Sequence, residues 1–186
     1  VEATLRKLES DYRRADEMFA KMLLSIEEHD KIRYDLENQR AAYDLALRRA
    51  VRPGDLVLEV GTGSGLVAMM AARAGAAKVV SCEVLPLMAD IAREVVAKNG
   101  LAERITILTR KSTQLQVGAE LPAPADVFVS ELLNIGMLSP NMLPVLQHAR
   151  ENLLKPGGKI IPAAAVVHAA LIEAPFRIEA RPVRTN

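Results

Sequence analysis

The sequence predicts an α/β fold, in which a doubly wound and mostly parallel sheet follows an N-terminal helical extension. Apolar runs of strand length alternate with helical stretches from Leu56 onwards, and parallel strands need such crossover connections. The first 51 residues contain no Gly or Pro and many charges, which is typical of helix. We therefore expect a helical segment at 1–51, an α/β domain at 52–174 and a tail at 175–186.

The N-terminal extension carries an apolar stripe, because residues spaced three and four apart share one face of a helix. The stripe consists of Leu5, Leu8, Tyr12, Ala15, Phe19, Met22 and Ile26. It needs a partner, and three remain open: the chain's own core, a second copy in a short coiled coil, or a preceding helical array. A second helix is predicted at about 32–49, before Pro53 and Gly54.

The remaining elements alternate regularly along the α/β segment. Strands are predicted at 56–60, 78–82, 104–109, 126–130, 159–161 and 166–172. Helices are predicted at 64–74, 86–99 and about 141–154. Gly75 and Gly100 close the first two of these helices, and Lys155-Pro156-Gly157-Gly158 closes the third. Because the strands at 56–58 and 127–129 are apolar throughout, we expect helices on both faces of the sheet.

A glycine-rich turn, Gly61-Thr62-Gly63-Ser64-Gly65, follows the first strand and leads into an alanine-rich helix. Glycines let a ligand lie directly against the backbone. Glu83 ends the second strand, 22 residues after Gly61, close to the roughly 20 expected for an acid that binds ribose hydroxyls. Dinucleotide binders place their third glycine one position later, where this chain has Leu66. We interpret the site as one for S-adenosylmethionine; the alternative is a purely structural turn with a solvated Glu83.

Composition excludes several other classes of function. The net charge of +1 and the scarcity of aromatic residues, with three Tyr, three Phe and no Trp, argue against nucleic acid as a partner. Cys82 is the only cysteine, which excludes an internal disulfide and suits a reducing cytoplasm. The chain has no apolar run of membrane-spanning length, so we expect no membrane partner. The histidines His29, His148 and His168 are far apart, so we expect no metal site.

Four segments, VLEVGTGSGLVAMMAARAGA, CEVLPLMADIAREVVAKNG, VSELLNIGML and GGKIIPAAA, resemble the cofactor-binding, Rossmann-like half of class I methyltransferases, specifically the protein arginine methyltransferases. The resemblance covers residues 57–173 and implies transfer of a methyl group from S-adenosylmethionine, leaving S-adenosylhomocysteine. It also implies a set of cofactor-binding residues, in which the glycine turn holds the methionine part, Glu83 the ribose, and the region of Ser112 and Thr113 the adenine. The set comprises Gly61, Thr62, Gly63, Gly65, Glu83, Val84, Ser112, Thr113 and Glu131.

The same resemblance makes Glu131 the candidate catalytic residue, since it matches the first glutamate of the family's paired-carboxylate loop. A guanidinium stays protonated at pH 7, and two carboxylates can hold it in a planar fork. The position expected for the second glutamate of that loop falls near Pro140, and no Asp or Glu lies between Leu132 and Arg150. That loop is instead apolar, with Leu132, Leu133, Ile135, Met137, Leu138, Met142 and Leu143. Two interpretations of each feature stay open. Glu131 either orients the acceptor or caps a nearby turn as a structural carboxylate. The apolar series forms either a surface for an apolar substrate or a protein, or part of the core.

Three departures from the family bear on function. Arg40 precedes Tyr43 by three residues where the family has four, so the ligand of the cofactor carboxylate is unassigned. An acid of the family that contacts adenine is replaced by Thr113. After Glu173 only 174–186 remain, so we expect no C-terminal β-barrel.

These observations leave an enzyme and a binding module as competing functions. The enzyme would be a cytoplasmic N-methyltransferase acting on a protein or small-molecule acceptor. The binding module would be a regulatory subunit that retains the cofactor fold and acts through its N-terminal helices, with homodimerisation through the same helices. A nucleic-acid base is disfavoured as acceptor because Ser130-Glu131-Leu132-Leu133 is unlike the Asp/Asn-Pro-Pro-aromatic motif that many base-directed methyltransferases carry.

Overall fold

A computed structural model describes residues 4–132, 142–164 and 166 of the chain. Two helices come first and are followed by alternating strands and helices. The helices are α1 (Thr4–Ala20), α2 (Ile26–Ala50), α3 (Leu66–Arg73), α4 (Pro86–Lys98) and α5 (Met142–His148). The strands are β1 (Leu56–Val60), β2 (Lys78–Glu83), β3 (Ile105–Thr109), β4 (Ala125–Ser130) and β5 (Leu154–Ile161). A 3-10 turn (Ser112–Gln114) follows β3, and a π-helical turn (Ala149–Leu153) leads from α5 into β5.

The five strands of the described residues form one parallel sheet in the order β3-β2-β1-β4-β5. The central strand β1 pairs with β2 on one side and with β4 on the other, so that Val60 lies level with Cys82 and with Ser130. Apolar clusters cover both faces: one includes residues of α2, α3 and α4, and the other includes Ala149 and Leu153 beyond α5. The predicted α/β fold with a parallel sheet is confirmed.

The N-terminal helices form a hairpin, and the predicted apolar stripe is wrong at its end. Helix α1 ends at Ala20 and α2 begins at Ile26, six residues earlier than predicted. A capping box begins α2: the Ser25 hydroxyl accepts from the Glu28 N–H, and the Glu28 carboxylate accepts from the Ser25 N–H. Between the helices Met22 has a φ of 56°, which ends the path of α1. Met22 (93% exposed) and Ile26 (66% exposed) therefore leave the stripe.

The second half of α2 packs into the same core as the sheet. Tyr43, Leu47 and Ala50 are buried in the cluster that also contains Val57 of β1. At the end of α2, the Lys159 ammonium of β5 donates to the carbonyl of Ala50, which places a cation at the negative end of the helix. The chain's own core is thus a partner for α2, while the division at residues 51 and 174 stays a prediction.

The last described strand is longer than the sequence predicts. Residues 155–158 were expected to end a helix, but they lie within β5, and the preceding helix is divided into α5 and the π-helical turn. A register shift between Ala125 and Val127 of β4 accommodates the Pro-Gly-Gly segment. The Lys155 ammonium pairs with Asp126 and fixes this arrangement. The strand predicted at 166–172, apart from Val166, and the tail at 175–186 lie outside the described residues.

No helix in the described ranges is both long enough and apolar enough to cross a lipid bilayer.

Candidate functional site

The predicted site residues lie along the carboxyl edge of the sheet. Because all five strands are parallel, the loops that follow them emerge at one edge. The loop after β1 carries Gly61–Gly65, the end of β2 carries Glu83 and Val84, and Glu131 follows β4. Ser112 and Thr113 lie in the 3-10 turn that follows β3. With β1 in the centre of the sheet, the glycine turn has Glu83 on one side and Glu131 on the other.

The glycine turn is fastened to β2 by backbone hydrogen bonds. The carbonyl of Cys82 accepts from the Gly61 N–H (3.0 Å) and from the Thr62 N–H (3.3 Å), and the turn closes with a bond from Gly65 N to Thr62 O (2.8 Å). Gly61, Gly63 and Gly65 have φ values of 89°, 55° and 83°. Side chains rarely adopt this left-handed region, so the backbone path itself requires glycine.

Two of these glycines also let neighbouring elements approach closely. A Cβ on Gly61 would lie 3.1 Å from Cδ2 of Leu132, and a Cβ on Gly65 would lie 3.2 Å from Cγ2 of Val96 in α4. The turn is therefore packed between α4 and the loop that follows β4. The contact with Leu132 brings the preceding residue, Glu131, next to the turn.

Glu83 is 2% exposed, and backbone N–H groups orient its carboxylate. Oε1 accepts from Val84 N (2.8 Å) and Leu85 N (3.0 Å), while Oε2 accepts a longer bond from Gly63 N (3.3 Å). A carboxylate offers about four acceptor positions. The oriented carboxylate and the glycine-rich turn fit an adenosine-type ligand.

The turn after β3 closes the other end of this edge. Ser112 is buried and Thr113 is exposed, and Val84 is exposed at the end of β2. The Arg110 N–H donates to the Glu83 carbonyl (3.0 Å), which joins this turn to β2. Nε2 of His148 hydrogen bonds to the carbonyl of Leu115 (3.2 Å), so that α5 is held against the same turn.

Glu131 follows the buried Ser130, and α2 reaches this end of β4. The Tyr43 hydroxyl donates to the Ser130 carbonyl (3.2 Å). Burial raises the pKa of Tyr43, and the negative charges of Glu131 and Glu59 raise it further. The position expected for a second glutamate, near Pro140, lies outside the described residues, as do four members of the apolar series: Leu133, Ile135, Met137 and Leu138.

Sequence reasoning missed a buried acid beneath the glycine turn. Glu59 in β1 is 2% exposed. Burial raises its pKa to about 8, against the lowering effect of hydrogen bonds from the Ser81 hydroxyl and the Ala68 N–H; the charges of Glu131 and Glu83 raise it further. The available signal was a single acid inside an otherwise apolar parallel strand, Leu56-Val57-Leu58-Glu59-Val60.

The described parts of the chain contain no group of three or more His, Cys, Asp and Glu residues placed to bind a metal. The arrangement instead offers glycine backbone, one oriented carboxylate at Glu83 and a second acid at Glu131. It can bind a sugar-bearing ligand at Glu83 and place a cationic acceptor beside Glu131.

Residues 45–168 match the family model described as ribosomal protein L11 methyltransferase (PrmA). This match covers more than half of the chain. Among curated proteins, an arginine N(omega)-methyltransferase from Streptomyces achromogenes subsp. streptozoticus is 46% identical over 127 residues, which is 68% of this chain and 35% of that protein. Protein arginine N-methyltransferase 7 from Aedes aegypti is 43% identical over 122 residues, 64% of this chain and 18% of that protein. The chain thus spans about a third or less of these relatives' length.

Solved structures give the same likeness. A Trypanosoma brucei PRMT1 enzyme-prozyme heterotetrameric complex with AdoHcy matches at a TM-score of 0.59 with 33% identity, over 65% of this chain and 37% of that one. Protein arginine methyltransferase 10 from Arabidopsis thaliana also matches at a TM-score of 0.59 with 33% identity, over 65% of this chain and 34% of that one. The chain belongs to the methyltransferase family that the matched model describes, and among class I S-adenosylmethionine-dependent methyltransferases it resembles the cofactor-binding domain of the protein arginine methyltransferases.

Proposed function

We propose that this chain binds S-adenosylmethionine at the carboxyl edge of its sheet and transfers the methyl group to a guanidinium nitrogen, with S-adenosylhomocysteine as product. The acceptor is arginine in a protein or an arginine-like small molecule. The observation that carries the proposal is the convergence of the glycine turn, Glu83 and Glu131 at neighbouring loops of one edge. The names of the curated relatives support arginine as the acceptor.

Each part of the site has a proposed role. Gly61, Thr62, Gly63 and Gly65 hold the methionine part of the cofactor against bare backbone, and Glu83 holds the ribose. Val84, Ser112 and Thr113 flank the adenine. Their placement at the ends of β2 and β3 supports these roles, because an extended nucleoside would run along the edge from β1 towards β3.

Glu131 is proposed to orient the acceptor. The bound cofactor supplies an electrophilic methyl group on a positively charged sulfur. A carboxylate accepts two parallel N–H bonds from a planar guanidinium, so Glu131 can fix the plane of the acceptor and aim one nitrogen at the site. Positioning of this kind accounts for much of the rate of an in-line transfer. The buried surroundings of Ser130 and Tyr43 strengthen the charge interactions at Glu131.

Calorimetry on the chain tests the proposal. We expect S-adenosylmethionine and S-adenosylhomocysteine both to bind, and Glu83→Gln to weaken both by about tenfold or more, the cost of losing hydrogen bonds to a charged group. Glu94→Gln is the matched control, because Glu94 is an exposed carboxylate of α4 paired with Lys98. Absence of binding of either ligand at millimolar concentration would reject the proposal.

The Glu131→Gln variant separates transfer from cofactor binding. We expect its affinity for S-adenosylmethionine to stay within about twofold, while methylation of an arginine peptide falls by at least about tenfold, since an amide loses the charge-assisted bonds to the guanidinium. Mass spectrometry of the peptide would measure the loss. Unchanged methylation would remove Glu131 from the mechanism.

A regulatory module is the second candidate function, and the tip of the N-terminal hairpin favours it. Phe19, Met22, Leu23 and Ile26 are exposed apolar residues around the turn between α1 and α2. Such residues in one place are typical of a protein-binding surface, and a second copy of the chain is the proposed occupant. Sedimentation of the chain and of the Met22→Ser/Leu23→Ser double variant tests this. A wild-type chain that is monomeric at high concentration would exclude homodimerisation.

We also propose a cytoplasmic location and neither nucleic acid nor membrane as partner. The near-neutral charge and the single, buried Cys82 support this. Cell fractionation and filter binding with single-stranded RNA would test it.

A further inference from the structure

Three buried polar side chains form a continuous hydrogen-bonded chain beneath the glycine turn. Glu59 of β1 lies directly opposite Ser81 of β2 in the parallel register. The Ser81 hydroxyl donates to Oε2 of Glu59, and the hydroxyls of Ser81 and Thr62 hydrogen bond to each other. When Glu59 is ionised, Ser81 gives its only proton to the carboxylate, and Thr62 is then the donor in the second bond. This series of hydrogen bonds therefore runs from the sheet into the glycine turn.

The same carboxylate also reaches the start of α3. The backbone N–H of Ala68, in the first turn of that helix, favours the charged form of Glu59 and lowers its pKa. The N-cap residue of α3 is Gly65, which has no side chain to cap the helix. Glu59 is thus linked to the glycine turn through Ser81 and Thr62, and the backbone N–H of Ala68 acts on it from the helix that follows the turn. A change in its charge therefore acts on the turn and on the start of α3.

Acids surround Glu59, and within the described residues no cation is among the groups that act on its ionisation. From β2 it is faced by Glu83 and by the thiol of Cys82, from the loop after β4 by Glu131, and from α2 by the hydroxyl of Tyr43. Helix α3 contributes only the backbone N–H of Ala68. Negative neighbours and burial both favour the protonated form of Glu59, and its pKa of about 8 follows from them. Glu59 is therefore mostly protonated at neutral pH.

We propose that Glu59 is a positioning residue that links the glycine turn to the charge of the bound ligand, so that binding of the cationic methyl donor releases a proton that binding of its product does not. The inference rests on the proposed function, since it assumes that the donor occupies the turn. The donor differs from the product by the positive charge on sulfur. A positive charge in this acidic surrounding favours the carboxylate form of Glu59. The product lacks that charge and leaves the proton in place.

Calorimetry at pH 7.5 in two buffers of different ionisation enthalpy measures the protons released. We expect binding of the donor to release about half a proton more from the wild-type chain than from Glu59→Gln. A fall of about one unit in the pKa of Glu59, from about 8, would produce this difference at pH 7.5. The product should give the same proton count with both proteins. Comparing one ligand between two proteins cancels the titration of the ligand's own amino group.

Three further variants separate positioning from a merely structural role. In Ser81→Ala the carboxyl group remains but loses a hydrogen bond that favours its charged form, so the pH of maximal proton release should rise. Thr62→Val should weaken donor and product equally, by roughly fivefold, while Thr62→Ser, which keeps the hydroxyl, should restore both affinities. A residue that only supports the fold would change both affinities without changing the proton count.

The outcomes distinguish this inference from the proposed function. If neither ligand binds the wild-type chain, the proposed function fails and the inference fails with it. If both bind and the donor releases the same number of protons from the wild type and from Glu59→Gln, only the inference is overturned. If Glu59→Gln does not fold, the shift expected for Ser81→Ala decides, and an unchanged pH of release overturns the inference.

Discussion

The glycines after β1 are required by the backbone before any ligand is considered. All three have positive φ, and Gly61 and Gly65 also touch neighbouring side chains closely. A structural turn and a binding site were alternative interpretations of the sequence, but the geometry makes them compatible. The same backbone path that excludes side chains fastens the turn to β2 and points the N–H of Gly63 at Glu83.

Gly65→Ala should destabilise the chain more than Gly118→Ala does. Both glycines have left-handed φ values, 83° and 89°, but a Cβ at Gly118 meets nothing within 4 Å while one at Gly65 meets Val96 at 3.2 Å. The backbone strain alone costs about 1 kcal/mol, and the crowding should add about 1 kcal/mol more. Urea unfolding of the two variants measures the difference. Equal costs would mean that α4 moves aside freely.

The free energy of unfolding should depend on pH through Glu59. Its pKa is about 8 when folded and near 4.5 when unfolded, so the folded chain keeps a proton that the unfolded chain loses. This contribution to stability is complete below about pH 4.5 and is lost as pH rises to about 8. Wild-type stability minus that of Glu59→Gln should therefore decline across this window in denaturation experiments. The difference in stability between wild type and the exposed-site variant Glu94→Gln should show no such decline, because that variant keeps Glu59. Parallel curves for wild type and Glu59→Gln would contradict the prediction.

At the scale of elements, the boundaries of the first helices were decided by a short polar motif that the apolar pattern concealed. Spacings of three and four continue from Phe19 to Ile26, yet the capping box at Ser25 and Glu28 begins a new helix there. Local hydrogen bonds at a helix start outweigh two apolar residues that can remain exposed. The bounds of the strands were easier to predict, because an apolar run bounded by glycines leaves few alternative end points. The predicted bounds of β1 agree with those of the structure.

Ser25→Ala should loosen the hairpin at the start of α2. The variant removes the hydroxyl that accepts from the Glu28 N–H and donates to the Glu28 carboxylate, so we expect a loss of about 1 kcal/mol. Ser10→Ala, at an exposed position within α1, is the matched control and should be neutral or slightly stabilising. Thermal unfolding of both variants compares them. A neutral Ser25→Ala would show that packing between the helices, and not the cap, defines the turn.

For the whole molecule, the α/β order predicted the sheet, and the sheet in turn predicted which residues meet. Glu83, Glu131 and the glycine turn could be placed together because parallel strands share one carboxyl edge. The part played by α2 could not be predicted, since no local pattern shows that Tyr43 reaches Ser130, 87 residues away. Glu59 was missed for a similar reason: its partner Ser81 belongs to another strand, and register becomes visible only in the assembled sheet.

Tyr43→Phe tests how strongly α2 is tied to the carboxyl edge. The variant removes one buried hydrogen bond and leaves the Ser130 carbonyl without that donor, so we expect a loss of about 1–2 kcal/mol. Tyr34→Phe is the control, because Tyr34 lies on the same helix and is exposed. Chemical unfolding measures both. If the two variants have equal stability, α2 is held by its apolar contacts alone.

The bond between Lys159 and Ala50 joins residues 109 positions apart. During synthesis the glycine turn leaves the ribosome before the lysine that fixes the end of α2, which emerges only after β1 to β4 have been made. Closing so long a loop is entropically costly until the strands between have paired. The end of α2 would therefore be fixed late, after the residues of the candidate site have already been made.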